Sequence, residues 1–260
     1  MEPPTSNALQ ALQELSEYLL YVKAEFEAEG TRADELALLK SIVSAANSNL
    51  VIKIGGSSAL RDLIECSNLE TSYVLVPMIE TPEALSTFLR ERRVLSSTLG
   101  LPGIYGKVLI NIETKTAVKN LDQILSVASQ YEELRGIVIG RTDLSRSLQI
   151  SRDDIESEKV LDACSYILDQ AKKKGLMVTL GGNITTRTYP FAMNLIELGL
   201  DAFETRKCCI SAATCTQDEF ARVIEKALLF EQKVLLLLDS LSKITYQQKV
   251  DRIKALLLRK

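Results

Sequence analysis

Short apolar runs rich in valine and isoleucine recur along the chain, and longer stretches with apolar residues at helical spacing separate them. Runs of this kind are typical of parallel strands that are buried on both faces. The pattern predicts seven strands, at residues 18–25, 50–54, 73–76, 107–112, 136–139, 176–180 and 201–204. No eighth strand is evident, because residues 5–17 have the spacing of a helix instead.

Four of the intervening stretches are predicted to be helices, at residues 81–95, 116–129, 156–174 and 188–198. Thr81 is a suitable N-cap for the first of them, and Pro82 suits its first turn. The stretch 217–260 is leucine-rich and helical in pattern. It has two interpretations: a subunit contact in a homo-oligomer, or a cover for the bottom of the fold.

Repeated strand–helix units predict a parallel sheet with right-handed crossovers, either closed into a barrel or open and doubly wound. No GxGxxG motif follows the first strand, which disfavours a dinucleotide-binding open sheet. A chain of 260 residues suits a one-domain barrel, so we expect a single α/β domain over residues 1–260, with a helical extension at about 217–260.

Composition excludes several classes of protein. The chain is 46% hydrophobic and 25% charged, with a formal net charge of −3, so it lacks the basic character of a nucleic-acid-binding protein. It shows no signal peptide and no apolar stretch of about 18 residues, so we expect a cytoplasmic protein that does not enter a membrane. The five cysteines form no CxxC pair, which disfavours disulfides and structural zinc.

The chain contains no histidine. This excludes a Ser-His-Asp or Cys-His mechanism and a histidine-ligated metal. Acid–base chemistry must therefore fall to carboxylates, lysine, tyrosine or metal-bound water.

Two acids follow neighbouring predicted strands, at the ends where barrel enzymes carry their catalytic groups. Glu113 ends the fourth strand, and Asp143 comes shortly after the fifth. Oxygen ligands of this kind suit Mg²⁺ or Mn²⁺. Spacing alone supports equally well an alternative in which Glu113 pairs with Lys53 and Asp143 caps a helical turn.

Three segments resemble the HpcH/HpaI aldolase and citrate lyase β-subunit superfamily. They are Ile112-Glu113-Thr114 with the following Asn120-Leu121-Asp122-Gln123-Ile124-Leu125, then Ile139-Gly140-Arg141-Thr142-Asp143-Leu144-Ser145, and upstream Val74-Leu75-Val76-Pro77-Met78-Ile79-Glu80-Thr81. The resemblance covers roughly residues 18–210. It implies a (β/α)8 TIM barrel that binds Mg or Mn through one Glu and one Asp and makes or breaks carbon–carbon bonds through an enolate.

By this resemblance Glu113 and Asp143 are the expected metal ligands. The backbone amides around Gly140, Arg141 and Thr142 are expected to hold the substrate carboxylate, since fixed donors carry no reorganisation cost.

The chain also departs from the family's pattern. Lys53 stands where the family generally has a substrate arginine, so the charge is kept but the bidentate fork is lost. Lys53 could neutralise an enolate or, less favourably, form a Schiff base. The histidine base of the aldolase branch is missing, and we predict that Glu25 replaces it. Alternation along the first strand also makes Glu27 a candidate, whereas Glu29 is expected on a solvated rim.

The loop after the penultimate predicted strand contains Gly181, Gly182 and Asn183, and Arg206 leaves the last one. Barrels often bind phosphate in these loops, so an anionic or phosphorylated substrate portion is expected there. The alternative is a tight turn with a salt bridge.

These observations predict a metal-dependent carbon–carbon lyase or aldolase that acts on a 2-oxo acid. Two alternatives stay open: an acyl-CoA lyase of the citrate lyase type, and a non-catalytic binding or scaffold barrel.

Overall fold

The computed structural model describes residues 4–100, 107–213, 216–241 and 247–258. Cys215, one of the five cysteines considered above, and the first three residues lie outside this part. Eight strands close into a barrel in sequence order. They are β1 Leu19–Glu25, β2 Leu50–Lys53, β3 Tyr73–Val76, β4 Lys107–Ile112, β5 Leu134–Gly140, β6 Met177–Gly181, β7 Ala202–Glu204 and β8 Cys208–Ser211. The expected α/β barrel is confirmed.

Strand β8 corrects the expectation of a uniformly parallel sheet. Strands β1 to β7 pair in parallel, whereas β8 is antiparallel to both β7 and β1. Only residues 205–207 separate β7 from β8, and so short a connection permits a hairpin but no crossover helix. The eighth strand therefore follows the seventh directly, and residues 5–17 contribute a helix as predicted.

Eleven helices are found in the described part of the chain: α1 Pro4–Gln13, α2 Ala33–Ala45, α3 Leu60–Asn68, α4 Pro82–Leu99, α5 Lys115–Lys119, α6 Leu121–Ala128, α7 Arg141–Ser147, α8 Glu158–Lys172, α9 Tyr189–Glu197, α10 Gln217–Leu241 and α11 Gln247–Leu257. The predicted cap of α4 is confirmed, because Thr81 Oγ1 accepts a hydrogen bond from Ala84 N at 3.1 Å. The predicted helix at 116–129 is instead two helices. Asn120 separates them, and its side chain donates to Glu80 O.

The barrel interior is apolar in its lower part and polar in its upper part. Its lower part is an apolar plug formed by one side chain from each of seven strands: Tyr21, Val51, Leu75, Leu109, Val138, Ala202 and Cys209. Side chains alternate between the two faces of a strand, so the next inward positions, two residues further along β1, β2 and β4, are Lys23, Lys53 and Asn111. The plug therefore forms the floor of a polar upper chamber.

The two C-terminal helices extend to the barrel mouth, which neither interpretation of residues 217–260 anticipated. Helix α10 packs along α1, and its Arg222 Nη2 donates to the Oη of Tyr18, which directly precedes β1, at 3.0 Å. Further along, Glu231 of α10 and Arg252 of α11 line the cavity at the barrel mouth. No helix in the described ranges is long and apolar enough to span a membrane.

Candidate active site

A cavity of about 560 Å³ opens at the carboxyl ends of the parallel strands. This size lies within the range of about 300–1,000 Å³ that is usual for small-molecule sites. The predicted site residues that line it are Glu25, Lys53, Glu113, Gly140, Thr142, Asp143, Gly181, Gly182, Asn183 and Arg206. The structure thus brings all the predicted site residues to one chamber except Arg141.

Glu113 is fixed at the base of this cavity and is only 2% exposed. Its Oε1 accepts a hydrogen bond from Met78 N at 3.0 Å, and its Oε2 accepts one from Asn111 Nδ2 at 2.6 Å. Gly140 of the neighbouring strand makes room for it, because a Cβ on residue 140 would lie 2.4 Å from Glu113 Oε2. The carboxylate is therefore held by neutral donors, with no ion pair of its own within 4 Å among the described residues.

Asp143 is the third residue of α7, and its side chain is 32% exposed. Its Oδ1 lies 2.9 Å from Arg146 Nη1. Burial raises the pKa of Glu113, and Asp143 acts in the same direction, although Lys53 opposes the shift. Asp143 therefore lies near enough to Glu113 to disfavour the ionisation of Glu113, as expected of two acids that face one cavity.

The donor set around Glu113 fits a hard divalent cation. Asn111 is buried, and its Oδ1 has no hydrogen-bond partner in the described structure, which is costly for a buried acceptor. Two carboxylates and an amide oxygen are ligands that Mg²⁺ and Mn²⁺ accept, and water or substrate commonly completes such shells. No group of three or more acidic or cysteine side chains suited to a metal occurs in the described part.

Lys53 does not pair with Glu113, contrary to the salt-bridge alternative. Its Nζ lies 2.7 Å from Glu27 Oε2. Burial works against its charge, but Glu113 and Glu27 outweigh that effect and raise the pKa of Lys53. A Schiff-base lysine needs a depressed pKa in order to be a free amine. This environment instead favours a permanent ammonium group that faces Glu113.

Glu25 belongs to a buried ion-pair network inside the barrel. Lys23 Nζ contacts Glu204 Oε1 at 2.5 Å and Glu25 Oε1 at 3.3 Å, and all three side chains are less than 10% exposed. Burial opposes ionisation of Glu25, but Lys23 and Lys53 outweigh it and lower its pKa. Glu25 is thus an anion at the cavity wall, whereas Glu27 beside it is more exposed, at 32%.

The loop after β6 closes against the start of α7. Gly182 has φ +87°, and a Cβ there would lie 2.6 Å from Thr142 N and 2.8 Å from Arg141 N. Any larger residue would therefore obstruct the two amides that were predicted to hold a carboxylate. The Arg141 side chain points elsewhere: it is fully buried, donates to Gly182 O at 2.8 Å and stacks on Phe191. Only its backbone amide remains a candidate for substrate binding.

Arg206 lies in the turn between β7 and β8, beside Glu29. Its Nη1 is 3.9 Å from Glu29 Oε1, and Lys207 Nζ makes a closer ion pair with Glu29 Oε2. The side chain of Glu29 is only 4% exposed, so its expected place on a solvated rim is wrong. The hairpin brings Lys207 back over the first loop, and this buries the pair.

Several residues of the chamber were not predicted from the sequence. Asn111 shares an inward strand face with Glu113, and the two-residue alternation of β4 could have identified it. Lys23 and Glu204 also face inward by alternation. Glu231 and Arg252 had no such signal, since the contact of their helices with the cavity depends on the tertiary fold.

The closed barrel with a polar chamber at its mouth is that of an α/β-barrel enzyme. Comparison with known proteins specifies the family: the sequence profile of HpcH/HpaI aldolase/citrate lyase matches residues 28–207. The chain belongs to this family and is an enzyme of the aldolase and lyase class.

Curated relatives include 2-keto-3-deoxy-L-rhamnonate aldolases of Salmonella dublin and Salmonella typhimurium. Each is 26% identical over 202 residues, covering 67% of this chain and 71% of the relative. Among solved structures, citrate synthase SbnG has a TM-score of 0.61 at 19% identity, covering 78% of this chain and 81% of its own. An HpcH/HpaI aldolase from Desulfitobacterium hafniense DCB-2 has a TM-score of 0.59 at 16% identity, covering 74% and 79%. These structural likenesses support the fold.

Proposed function

We propose that the protein is a divalent-metal-dependent aldolase or lyase that cleaves or forms a carbon–carbon bond next to the carbonyl of a 2-oxo acid. The observation that carries the proposal is the arrangement at the base of the cavity. There, two carboxylates from adjacent strands and the unpartnered Asn111 Oδ1 line the same cavity and supply oxygen atoms that a divalent cation accepts. The 2-oxo acid is supported by the relatives, whose name specifies a 2-keto-3-deoxy acid.

Glu113 and Asp143 would hold Mg²⁺ or Mn²⁺, and Asn111 would orient Glu113 through its 2.6 Å hydrogen bond. When bound, the cation would act as a Lewis acid toward the 2-oxo acid. The amides of Arg141 and Thr142 would bind the substrate carboxylate, which the absence of a side chain at Gly182 permits.

Lys53 and Glu25 would carry the remaining charge and proton chemistry. The Lys53 ammonium would offset negative charge that develops on the substrate carbonyl oxygen, because its raised pKa keeps it protonated. Glu25 would accept or return the proton at the carbon next to the carbonyl. Both side chains line the cavity.

Exchange of pyruvate methyl protons with deuterated solvent tests this function, because exchange requires proton removal without an acceptor substrate. We expect ¹H NMR to show exchange that depends on Mg²⁺ and stops with a chelator. The double variant Glu113→Gln, Asp143→Asn should bind no Mn²⁺ in calorimetry and catalyse no exchange. Asp122→Asn with Glu158→Gln, which removes two exposed acids away from the cavity, is the matched control. Exchange that persists in the double variant, or a wild type that neither binds Mn²⁺ nor exchanges pyruvate, would overturn the proposal.

We also propose that the enzyme works in a reducing compartment such as the cytoplasm and forms a homo-oligomer. The four cysteines in the described part are free and buried. Leu229 and Leu236, seven residues apart on α10, are 42% and 49% exposed. Such a face suits a second copy of the chain. Light scattering coupled to size exclusion should show an oligomer that Leu229→Lys, Leu236→Lys weakens. A monomeric wild type would contradict it.

A further inference from the structure

The C-terminal helices contribute side chains to the same cavity as Glu113 and Asp143. Leu228 and Glu231 of α10 and Arg252 and Leu256 of α11 line it. These residues lie beyond residues 28–207, the part that matches the family. They are therefore an element of the chamber for which the family assignment supplies no role.

Three arginines from separate elements meet on this side of the cavity: Arg152 from the 3-10 turn Arg152–Asp154, Arg206 from the β7–β8 turn, and Arg252 from α11. Burial lowers the pKa of Arg252, and Arg206 and Arg152 act in the same direction, although Glu231 opposes the shift. Like charges held this near to one another are unfavourable unless an anion joins them.

The acids near these arginines do not balance them. Glu231 pairs with Arg252, and Glu29 pairs closely with Lys207 and only distantly, at 3.9 Å, with Arg206. Arg152 has no ion-pair partner within 4 Å among the described residues. Glu25 also lines the cavity and interacts electrostatically with Arg206 and Lys207. Four basic groups thus face three acids, and the guanidinium groups of Arg152 and Arg206 lack a close partner while lining the cavity.

The arrangement also holds Arg252 in place. Glu231 is only 1% exposed and contacts the Arg252 guanidinium, which fixes its position at the cavity wall. Val250 and Ile253, on the buried side of α11, are at most 2% exposed, so the helix is anchored by packing. A planar, preorganised guanidinium of this kind suits carboxylate or phosphate recognition.

We propose that Arg152, Arg206 and Arg252 form an anion site at the rim, named here the rim site, which binds a second anionic group at the far end of the substrate. The substrate class is then a 2-oxo acid with a distal carboxylate or phosphate, and α11 is an active-site element. This inference rests on the proposed function, since the rim site is assigned to the distal end of the molecule whose 2-oxo acid end lies near Glu113.

Three 2-oxo acids whose chains have the same length, with phosphorus replacing the last carbon in one of them, test it by calorimetry on the full-length protein with Mg²⁺. They are 2-oxoglutarate, with a distal carboxylate; 2-oxo-4-phosphonobutanoate, with a distal phosphonate; and 2-oxopentanoate, with none. We expect at least one dianion to bind ten times more tightly than 2-oxopentanoate. The tighter of the two identifies the natural anion as carboxylate or phosphate.

Arg152→Met is the decisive variant, because Arg152 is exposed and its replacement should leave the fold intact. We expect Arg152→Met and Arg252→Met each to reduce the preference for the dianion over 2-oxopentanoate about tenfold, because each variant loses a charge-assisted hydrogen bond. The affinity for 2-oxopentanoate itself should not change. Arg252→Lys should restore part of the preference. Lys254→Met, on the exposed face of α11, is the matched control. Hydrogen exchange of α11 amides should slow with the dianion and not with 2-oxopentanoate.

The outcomes separate the two proposals. Equal affinity of wild type for all three probes, or an undiminished preference for the dianion in Arg152→Met and Arg252→Met, overturns the rim site and leaves the 2-oxo acid function standing. If none of the probes binds and pyruvate protons do not exchange, the proposed function itself fails. If Arg252→Met unfolds, the result for Arg152→Met decides.

Discussion

Asn111 Nδ2 donates to Glu113 Oε2 at 2.6 Å, while Asn111 Oδ1, on the same buried amide, has no partner in the described structure. The amide therefore fixes the orientation of the carboxylate and leaves one acceptor unused. Neutral donors that orient a ligating carboxylate in this way commonly tune metal affinity.

Removal of this amide should weaken metal binding. We expect Asn111→Ala to lower Mn²⁺ affinity by about 10- to 100-fold, the usual effect of losing a residue that orients a metal ligand. Titration calorimetry with Mn²⁺ measures it. Asn194→Ala, which removes an exposed amide on α9, should bind Mn²⁺ like the wild type. Unchanged affinity in Asn111→Ala would show that Asn111 does not support the metal site.

Replacement of Glu113 by glutamine should stabilise the metal-free protein. Burial and Asp143 raise the pKa of Glu113, so its ionised form is unfavourable in the fold. The isosteric amide can still accept from Met78 N, and its nitrogen can donate to Asn111 Oδ1 once the Asn111 amide flips. We expect a gain of about 1 kcal/mol, or about 2–4 °C in Tm, by calorimetry in chelator. Mn²⁺ should raise the Tm of the wild type alone. A lower Tm for the metal-free variant would contradict the prediction.

Single variants can test which side chain transfers the proton without removing a metal ligand. Glu25→Gln should slow pyruvate proton exchange by about 100-fold or more, as the loss of a general base does, with Mn²⁺ affinity retained. Glu27→Gln should have a smaller effect, because it removes only the partner of Lys53. ¹H NMR exchange and Mn²⁺ calorimetry measure both. The reverse order of the two variants would assign the role to Glu27.

Gly182 and Gly175 provide a matched pair for the carboxylate-binding amides. Both have positive φ, +87° and +70°, so alanine strains either by about 1–2 kcal/mol. Only at residue 182 would the new Cβ meet Thr142 N, at 2.6 Å, whereas residue 175 has open space. We expect Gly182→Ala to weaken pyruvate binding at least tenfold and Gly175→Ala to leave it unchanged. Equal pyruvate affinities in calorimetry would show that these amides do not bind the carboxylate.

Acidification should lower the stability that Glu25 contributes through its ion pair with Lys23. The pKa of Glu25 is lower than its usual value of 4.5, because Lys23 and Lys53 outweigh burial. Such a carboxyl adds stability above its unfolded pKa, and this contribution is lost as the pH falls through the folded pKa. Between about pH 5 and pH 3 the Tm of the wild type should therefore fall more steeply than that of Glu25→Gln. Glu158→Gln, at an exposed position of α8, should follow the wild type. Parallel curves for Glu25→Gln and wild type would refute this.

Local pattern was enough to predict seven of the eight strands, because buried parallel strands require apolar runs whatever their neighbours are. Strand β8 was missed, since a four-residue segment that follows β7 after three residues does not fit the expected strand–helix unit. Alternation along β4 could have predicted that Asn111 faces inward. It could not have predicted that Lys53 pairs with Glu27 or that Glu29 turns inward toward Lys207, because both contacts depend on loop paths that the pattern leaves undetermined.

The sequence by itself determined the repeated strand–helix units and the strand ends at which Glu113 and Asp143 lie, because hydrophobic spacing is a local property of the chain. The tertiary structure alone decided which charges meet. In the folded chain the Arg141 side chain is buried against Phe191, Lys53 forms an ion pair with Glu27, and Arg252 of α11 lies at the cavity rim. Ion pairs and cavity walls depend on distances between residues far apart in the chain, and those distances exist only once the helices and strands have packed.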